Sequence, residues 1–102
     1  MIGVGNVGST TAFTIMLGGL FSDIVIIDLN KDKAQGDAMD MAHGVSFVKP
    51  VNVYAGDYRD CQDADIIVIT AGVAQKPGET RLNLLKRNVS VFKNIVDSIA
   101  QY

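Results

Sequence analysis

The feature that most constrains this chain is a pattern of glycines within its first ten residues. Gly3, Gly5 and Gly8 have the spacing G-x-G-x-x-G. In a strand–turn–helix unit, the first glycine permits a tight turn, the second lets the backbone approach a pyrophosphate, and the third lets the helix pack close to the strand. The helix that follows directs its free N–H groups and the positive end of its dipole at the phosphates. The spacing alone is a weak signal in a chain with ten glycines.

The residues after the glycines strengthen this interpretation. The mostly apolar residues 9–20 predict a helix of about three turns, and Gly18 and Gly19 near its end suit a left-handed cap. The β-branched run 24–27 then ends at Asp28, which lies 20 residues after Gly8. An acid at this distance is expected to bind the ribose hydroxyls of NAD. A plainer interpretation is that Asp28 ends a buried strand, but the complete order of elements favours the nucleotide interpretation.

Strands and helices alternate along the rest of the chain. We predict a helix from Asn30, its N-cap, to about residue 42, strands at 51–55 and 66–70, and a last helix at about 80–100. The continuous apolar run 66–70 is typical of a strand covered on both faces. This alternation indicates an α/β fold, a Rossmann-type doubly wound parallel sheet with strand order 3-2-1-4.

The predicted sheet is incomplete. Only Met1 and Ile2 precede Gly3, whereas strands usually have about five or six residues. The first strand therefore looks truncated. We interpret residues 1–102 as a partial NAD-binding Rossmann domain, either part of a larger protein or a partial sequence.

Two helices carry apolar stripes that indicate how they pack. In the helix after Asn30 the stripe is Ala34, Ala38, Met41 and Val45, and Gly36 would be explained by the close approach of another element. The last helix has a wider apolar face, which suits burial against a sheet or a neighbouring subunit. Its stripe is Leu82, Leu85, Val89, Phe92, Val96 and Ile99, flanked by Leu84, Val91 and Ile95.

Composition excludes several classes of function. The net charge of −2 argues against a nucleic-acid or anionic membrane surface, and no run is long enough for a membrane span. Cys61 is the only cysteine, which excludes an intrachain disulfide or a cysteine-based metal cluster and favours a cytoplasmic protein. No metal site is predicted. His43 is the only histidine and is not expected to be catalytic.

The loop at residues 71–81 leaves the carboxyl end of the predicted fourth strand, where this fold places its ligands. Its turn-forming residues are consistent with an ordinary surface loop. However, Arg81 begins a helix, where its charge opposes the helix dipole, so we expect it to have another task.

Together these segments resemble the NAD-binding half of the lactate and malate dehydrogenase family, closest to L-lactate dehydrogenase. The resemblance covers essentially the whole chain and is most specific in the loop from Gln75 to Arg81. The matching segments are residues 3–8, 27–28, 33–40, 43–44, 56–58, 63–65, 70–72 and 75–81.

The resemblance implies a role for particular residues. The cofactor NAD would be bound by Gly3, Gly5, Val7, Gly8, Asp28, Lys33, Gly72 and Val73. Arg81 would polarise the substrate carbonyl when the loop closes, and Gln75 occupies the position that selects the substrate. In malate dehydrogenases an arginine there pairs with the second carboxylate of oxaloacetate, so a neutral Gln75 favours pyruvate and L-lactate. Lys76 is adjacent and could supply a charge if the register shifted by one residue.

The resemblance also implies what this chain lacks. The family's catalytic histidine and second substrate-binding arginine come from its C-terminal half, which is absent here, so residues 1–102 alone should be inactive. A homo-oligomer, a tetramer or a dimer, is expected, and the activity of the whole enzyme would belong to glycolysis. Cys61 matches a structural position. Two alternatives stay open: a malate dehydrogenase of the lactate-like subgroup, and a non-catalytic NAD-binding module.

Overall fold

The computed structural model describes residues 1–102 and contains three helices and two short strands. Two short 3-10 helices, Val45–Phe47 and Tyr58–Asp63, lie in the connections. The main elements, in chain order, are α1 Asn6–Gly18, β1 Asp23–Ile26, α2 Lys31–His43, β2 Asn52–Ala55 and α3 Arg81–Ile99.

The sheet has the predicted order. Strands β1 and β2 pair in parallel, with Asp23 opposite Asn52. Ile2 forms isolated parallel bridges with Ile27 on one side and with Ile69 on the other. The spatial order is therefore β2, β1, the segment at Ile2 and the segment at Ile69. In the predicted numbering the segment at Ile2 is strand 1, β1 is strand 2, β2 is strand 3 and the segment at Ile69 is strand 4, so this is the order 3-2-1-4.

The predicted fourth strand is wrong for this chain. In residues 66–70 only Ile69 makes a bridge, and the side chain of Ile66 is 62 % exposed. A strand needs a partner along its length, and the chain offers only Met1 and Ile2 as a partner here. The apolar run lies at the sheet edge, where Ile69 bridges Ile2, but the segment Met1–Ile2 is too short to pair with all of it.

A mainly apolar groove of about 560 Å³ lies next to Met1 and Ile2 and extends in the direction of this segment. Val25 lies on one wall and Val68 on the other. The Met1 ammonium donates a hydrogen bond to the Val25 carbonyl at 2.8 Å, and burial lowers the pKa of this ammonium. On the opposite wall the Val68 N–H and the Ile66 carbonyl make no hydrogen bond. The two walls of the groove thus present backbone groups of the kind that pair in a parallel sheet, and no strand lies between them.

The helix caps follow the sequence closely. Gly19 ends α1 in the left-handed conformation (φ +64°). The Asn30 side chain accepts a hydrogen bond from the Lys33 N–H at the start of α2, and Gly44 caps its end. Thr80 caps α3 by accepting from the Asn83 N–H. Local capping chemistry therefore places these boundaries within about two residues of the prediction.

The larger core lies where α1 and α2 cover β1 and β2. Ala34, Ala38 and Met41 of α2 are buried in it, which confirms these three residues of the predicted stripe. The fourth, Val45, lies beyond the end of α2 and is partly buried against the same core. Gly36 is exposed and has open space around it, so the expected close approach of another element is absent and nothing in the structure explains this glycine.

Helix α3 packs with the flank of its apolar face. Ile95 is buried in a second, small cluster with Ile2 and Ile27, and Leu84 and Val91 are half-buried. Most of the predicted stripe is instead 41–61 % exposed, namely Leu82, Leu85, Val89, Phe92 and Val96. Apolar residues cover so much of this helix that their period could not identify the side that meets the sheet.

Candidate functional site

The turn after Ile2 depends on two of the three glycines. Gly3 has φ +89°, which strains any other residue, and a Cβ atom there would overlap Ala71. The Gly3 carbonyl accepts a hydrogen bond from Thr70 Oγ1 at 2.7 Å. A Cβ atom on Gly8 would overlap the same carbonyl. The first glycine therefore makes the turn and the third lets α1 approach it, as the spacing predicted.

The amino end of α1 is open to an anion. Gly5 is the N-cap, and a Cβ atom built on it has no neighbour within 4 Å. No side chain caps the helix, and its first turn carries no acidic residue. The first N–H groups of the helix, at Asn6 and Val7, make no hydrogen bond, and Val7 is 68 % exposed. Free N–H groups, the helix dipole and open space fit a pyrophosphate.

Asp28 ties the glycine turn to the start of α2. Its Oδ2 accepts from the Val4 N–H and its Oδ1 from the Asn30 N–H, each at 2.8 Å. A carboxylate has about four acceptor sites, so two remain for hydroxyl groups. A hollow of about 450 Å³ opens beside it, bordered also by Gln35 and Gly56. This arrangement fits a ribose with its two adjacent hydroxyls.

Lys33 is engaged in a link between α1 and α2. Its Nζ lies 2.8 Å from Asp37 Oδ2, which also accepts from Ser9 Oγ at 2.8 Å. The hydrogen bond from Lys33 is the main reason why the pKa of Asp37 lies below its usual value; burial opposes it, and Ser9 adds to the lowering. Lys33 is thus linked through Asp37 to the helix that carries the glycine turn.

The loop at residues 71–81, which we call the substrate loop because the resemblance implies that it contacts the substrate, begins at the Ile69 segment and ends at α3. Gly72 is exposed, and the Val73 N–H donates to Asn88 Oδ1 at 2.8 Å. Gln75 is exposed, and its Nε2 donates to the Glu79 carbonyl at 2.7 Å. Arg81 is exposed and makes no hydrogen bond or ion pair, so its guanidinium is available to a ligand.

The structure adds residues that the sequence analysis missed. Asn88 holds the start of the substrate loop, and Arg87 holds its end through Glu79, with Nη1 2.6 Å from Oε1 and 2.8 Å from Oε2. A signal for Asn88 existed, because asparagine is unfavourable inside a helix and often marks a side-chain task. Nothing in the sequence pointed to the pairing of Arg87 with Glu79.

The remaining reactive side chains lie outside this arrangement. His43 is exposed at the last position of α2. Cys61 is half-buried, and burial is the main cause that raises the pKa of its thiol, so the thiol stays protonated and unreactive at neutral pH. None of the three helices is both long and apolar enough to cross a membrane.

Residues 1–102 match the family model described as lactate/malate dehydrogenase, NAD binding domain. The chain belongs to this family. The match confirms both the Rossmann-type fold and NAD as the predicted cofactor.

Individual relatives agree with the family match. An L-lactate dehydrogenase of Thermoanaerobacterium saccharolyticum is 58 % identical over all 102 residues, which correspond to 33 % of its length. Among solved structures, the minor L-lactate dehydrogenase of Enterococcus mundtii in its ligand-bound form has a TM-score of 0.95 and 40 % identity over 98 % of this chain and 32 % of its own.

A malate dehydrogenase of Archaeoglobus fulgidus in complex with NADH is also similar, with a TM-score of 0.87 and 41 % identity over 98 % of this chain and 35 % of its own. The chain therefore spans about a third of the length of the relatives it matches.

Proposed function

We propose that this chain is the cofactor-binding part of an NAD-dependent L-lactate dehydrogenase, which transfers a hydride between NADH and pyruvate. One observation supports this most directly: the loop whose first residue, Ala71, lies against Gly3 carries an uncharged Gln75 and an unpaired Arg81. The identity to L-lactate dehydrogenases supports it further.

The proposed contacts to NAD follow from the free groups of the site. Gly3, Gly5, Val7 and Gly8 would receive the pyrophosphate at the start of α1. Asp28 would accept the ribose hydroxyls and repel the 2′-phosphate of NADP, because a second negative charge would lie beside its carboxylate. Lys33, Gly72 and Val73 would complete the contacts. The Val73 N–H is bound to Asn88, so Val73 would use its carbonyl or side chain.

The proposed substrate contacts lie on the substrate loop. Bound NADH supplies the hydride. The Arg81 guanidinium would polarise the carbonyl of pyruvate as negative charge develops on its oxygen. Gln75 would face the methyl group, where a charged residue would lack a partner. The acid–base histidine and the arginine for the carboxylate would come from residues beyond those described here.

The nearest alternative is a malate dehydrogenase, which the similarity to the Archaeoglobus fulgidus enzyme favours. The exchange Gln75→Arg in the full-length protein separates the two. If Gln75 selects the substrate, the exchange shifts kcat/KM from pyruvate toward oxaloacetate, because a buried second carboxylate needs a cation. Equal preference before and after the exchange would argue against a selective role for Gln75.

A non-catalytic NAD-binding module is the second alternative. It needs neither Gln75 nor Arg81, so their presence together on the substrate loop argues against it. A full-length protein that binds NADH but reduces neither pyruvate nor oxaloacetate would establish this alternative and overturn the proposed enzyme.

We further propose that residues 1–102 act as one partial domain in a cytoplasmic homo-oligomer, a dimer or a tetramer. The exposed apolar face of α3 supports an interface, since Leu85, Val89 and Phe92 are each more than half exposed. Sedimentation of the full-length protein tests it; a monomer at micromolar concentration would refute it.

A further inference from the structure

The substrate loop is attached to α3 at two adjacent residues. Asn88 Oδ1 accepts from the Val73 N–H near the start of the loop, and the Arg87 Nη1 contacts both carboxylate oxygens of Glu79 near its end. Between these two points, residues 74–78 are all exposed. The conformation of the exposed part is therefore determined largely by what Glu79 and its neighbours bind.

Glu79 organises the turn that carries Gln75. Its Oε1 accepts from the Lys76 N–H at 3.0 Å, and its own N–H donates to the Lys76 carbonyl at 3.0 Å. Its carbonyl accepts from Gln75 Nε2 at 2.7 Å. Gly78 closes the turn with φ +76°. One residue thus holds both the backbone of the turn and the side chain of Gln75.

Arg87 holds Glu79 in this position. The Glu79 side chain is only 10 % exposed and that of Arg87 is 34 % exposed, so the pair is shielded from water more than a surface ion pair. The pKa of Glu79 lies below its usual value, first because the Lys76 N–H donates to it and then because of Arg87. The carboxylate therefore stays charged and paired at neutral pH.

We propose that Arg87 is a positioning residue for the substrate: through Glu79 it fixes the turn that presents Gln75 and, two residues beyond Glu79, sets the place of Arg81. This inference rests on the proposed function of Gln75 and Arg81. It adds that a residue without contact to the substrate contributes to selecting it. Losing the pair would leave the cofactor contacts at α1 intact and loosen only the substrate side.

The first test uses the chain itself and requires no catalysis. Amide hydrogen exchange is followed by NMR in Arg87→Gln, Arg87→Lys and the matched control Lys86→Gln, which removes a neighbouring exposed charge on α3. We expect exchange at the Lys76 N–H to rise at least about fivefold in Arg87→Gln. Arg87→Lys should largely restore the protection of the Lys76 N–H, because a single nitrogen of Arg87 makes both contacts to Glu79. The Lys86→Gln variant should stay within about twofold of the unchanged chain.

Unchanged exchange at Lys76 in Arg87→Gln would overturn the proposal. Should that variant fold poorly by circular dichroism, Glu79→Gln removes the same pair from the other side and is expected to give the same rise. No rise in Glu79→Gln would overturn the proposal equally.

The second test distinguishes positioning from mere structural support. In the full-length protein, Arg87→Gln should raise KM for pyruvate about tenfold while the Kd for NADH stays within about twofold, and Arg87→Lys should reverse most of the change. An unchanged KM, or an equal loss of NADH affinity, would overturn the positioning role. If the unsubstituted full-length protein does not reduce pyruvate, the proposed function fails instead, and the exchange experiment still decides whether Arg87 holds the loop.

Discussion

At the scale of single residues, the site is defined by groups that already bind the backbone and retain capacity for a ligand. Asp28 is the clearest case, since its two carboxylate oxygens accept from Val4 and Asn30 and keep free lone pairs. Asp37 differs from Asp28, because its Oδ2 accepts from two side chains, Ser9 Oγ of α1 and Lys33 Nζ of α2. Both acids connect the beginning of the chain to α2. Measurements of NADH affinity and of unfolding stability should separate their effects.

We expect Asp28→Asn to weaken NADH binding and to reduce the discrimination against NADPH. A hydrogen bond to a charged group contributes about 1.5–3 kcal/mol, which corresponds to a rise in Kd of about tenfold or more. Fluorescence titration of the chain with NADH and NADPH measures both values. Asp32→Asn is the control, because Asp32 is exposed in the first turn of α2. Equal Kd values for both variants would contradict the role of Asp28.

The Asp37 link should make stability depend on pH in the acidic range. The pKa of Asp37 is lowered in the folded chain, first by the Lys33 hydrogen bond. Its contribution is therefore fully present above the ordinary pKa of an aspartate and is lost as the pH falls through the lowered value. Urea unfolding midpoints between about pH 2 and 6 should fall more steeply for the unchanged chain than for Asp37→Asn. Parallel curves would show that the link carries no stability.

At the scale of elements, the boundaries could be predicted because they depend on local chemistry. Asn30, Thr80 and Gly19 act through hydrogen bonds or a positive φ that their own side chains permit. The burial of α3 could not be predicted, because apolar residues surround most of it and the choice of face depends on distant partners. Residues 66–70 pair only around Ile69, because the segment Met1–Ile2 beside them is too short to pair along their whole length.

The two faces of α3 should respond differently to substitution. Ile95 is 6 % exposed, so Ile95→Ala should destabilise the chain by about 2–4 kcal/mol. Phe92 is 54 % exposed, so Phe92→Ser should change its stability by less than about 1 kcal/mol. Chemical denaturation of both variants measures the difference. A larger loss for Phe92→Ser would mean that the helix packs on its other face.

Filling the groove beside Met1 should stabilise the sheet. We expect five added β-branched residues before Met1 to pair with Val25 and Val68 and to raise Tm by several degrees, since about 1 kcal/mol shifts Tm by about 4–8 °C in a domain of this size. An extension of the same length made of glycine, serine and aspartate is the matched control. Thermal unfolding of the two chains compares them, and equal Tm values would argue against pairing in the groove.

At the scale of the whole molecule, the sequence indicated the family, the order of the sheet and the cofactor, because the glycine turn, Asp28 and the substrate loop are local motifs. It did not indicate the supports of the loop, because the Glu79–Arg87 pair and the Asn88 contact depend on how α3 lies against the loop. Only 14 of 102 residues are buried, which is a small core for a chain of this length.

The chain alone should bind NADH but not turn over. The cradle at α1 and Asp28 are in place, whereas no histidine lies at the site, since His43 is at the far end of α2. A binding titration and an assay with NADH and pyruvate test both statements on one preparation. Pyruvate reduction at a rate typical of enzymes would contradict the second, and absence of NADH binding would contradict the first.

The open groove beside Met1 bears directly on how residues 1–102 can be prepared for these experiments. The Met1 ammonium lies against the Val25 carbonyl inside this apolar groove, so a hydrophilic purification tag placed ahead of Met1 would disturb that contact. Tyr102 is 52 % exposed, so a tag attached after it would leave the groove unchanged.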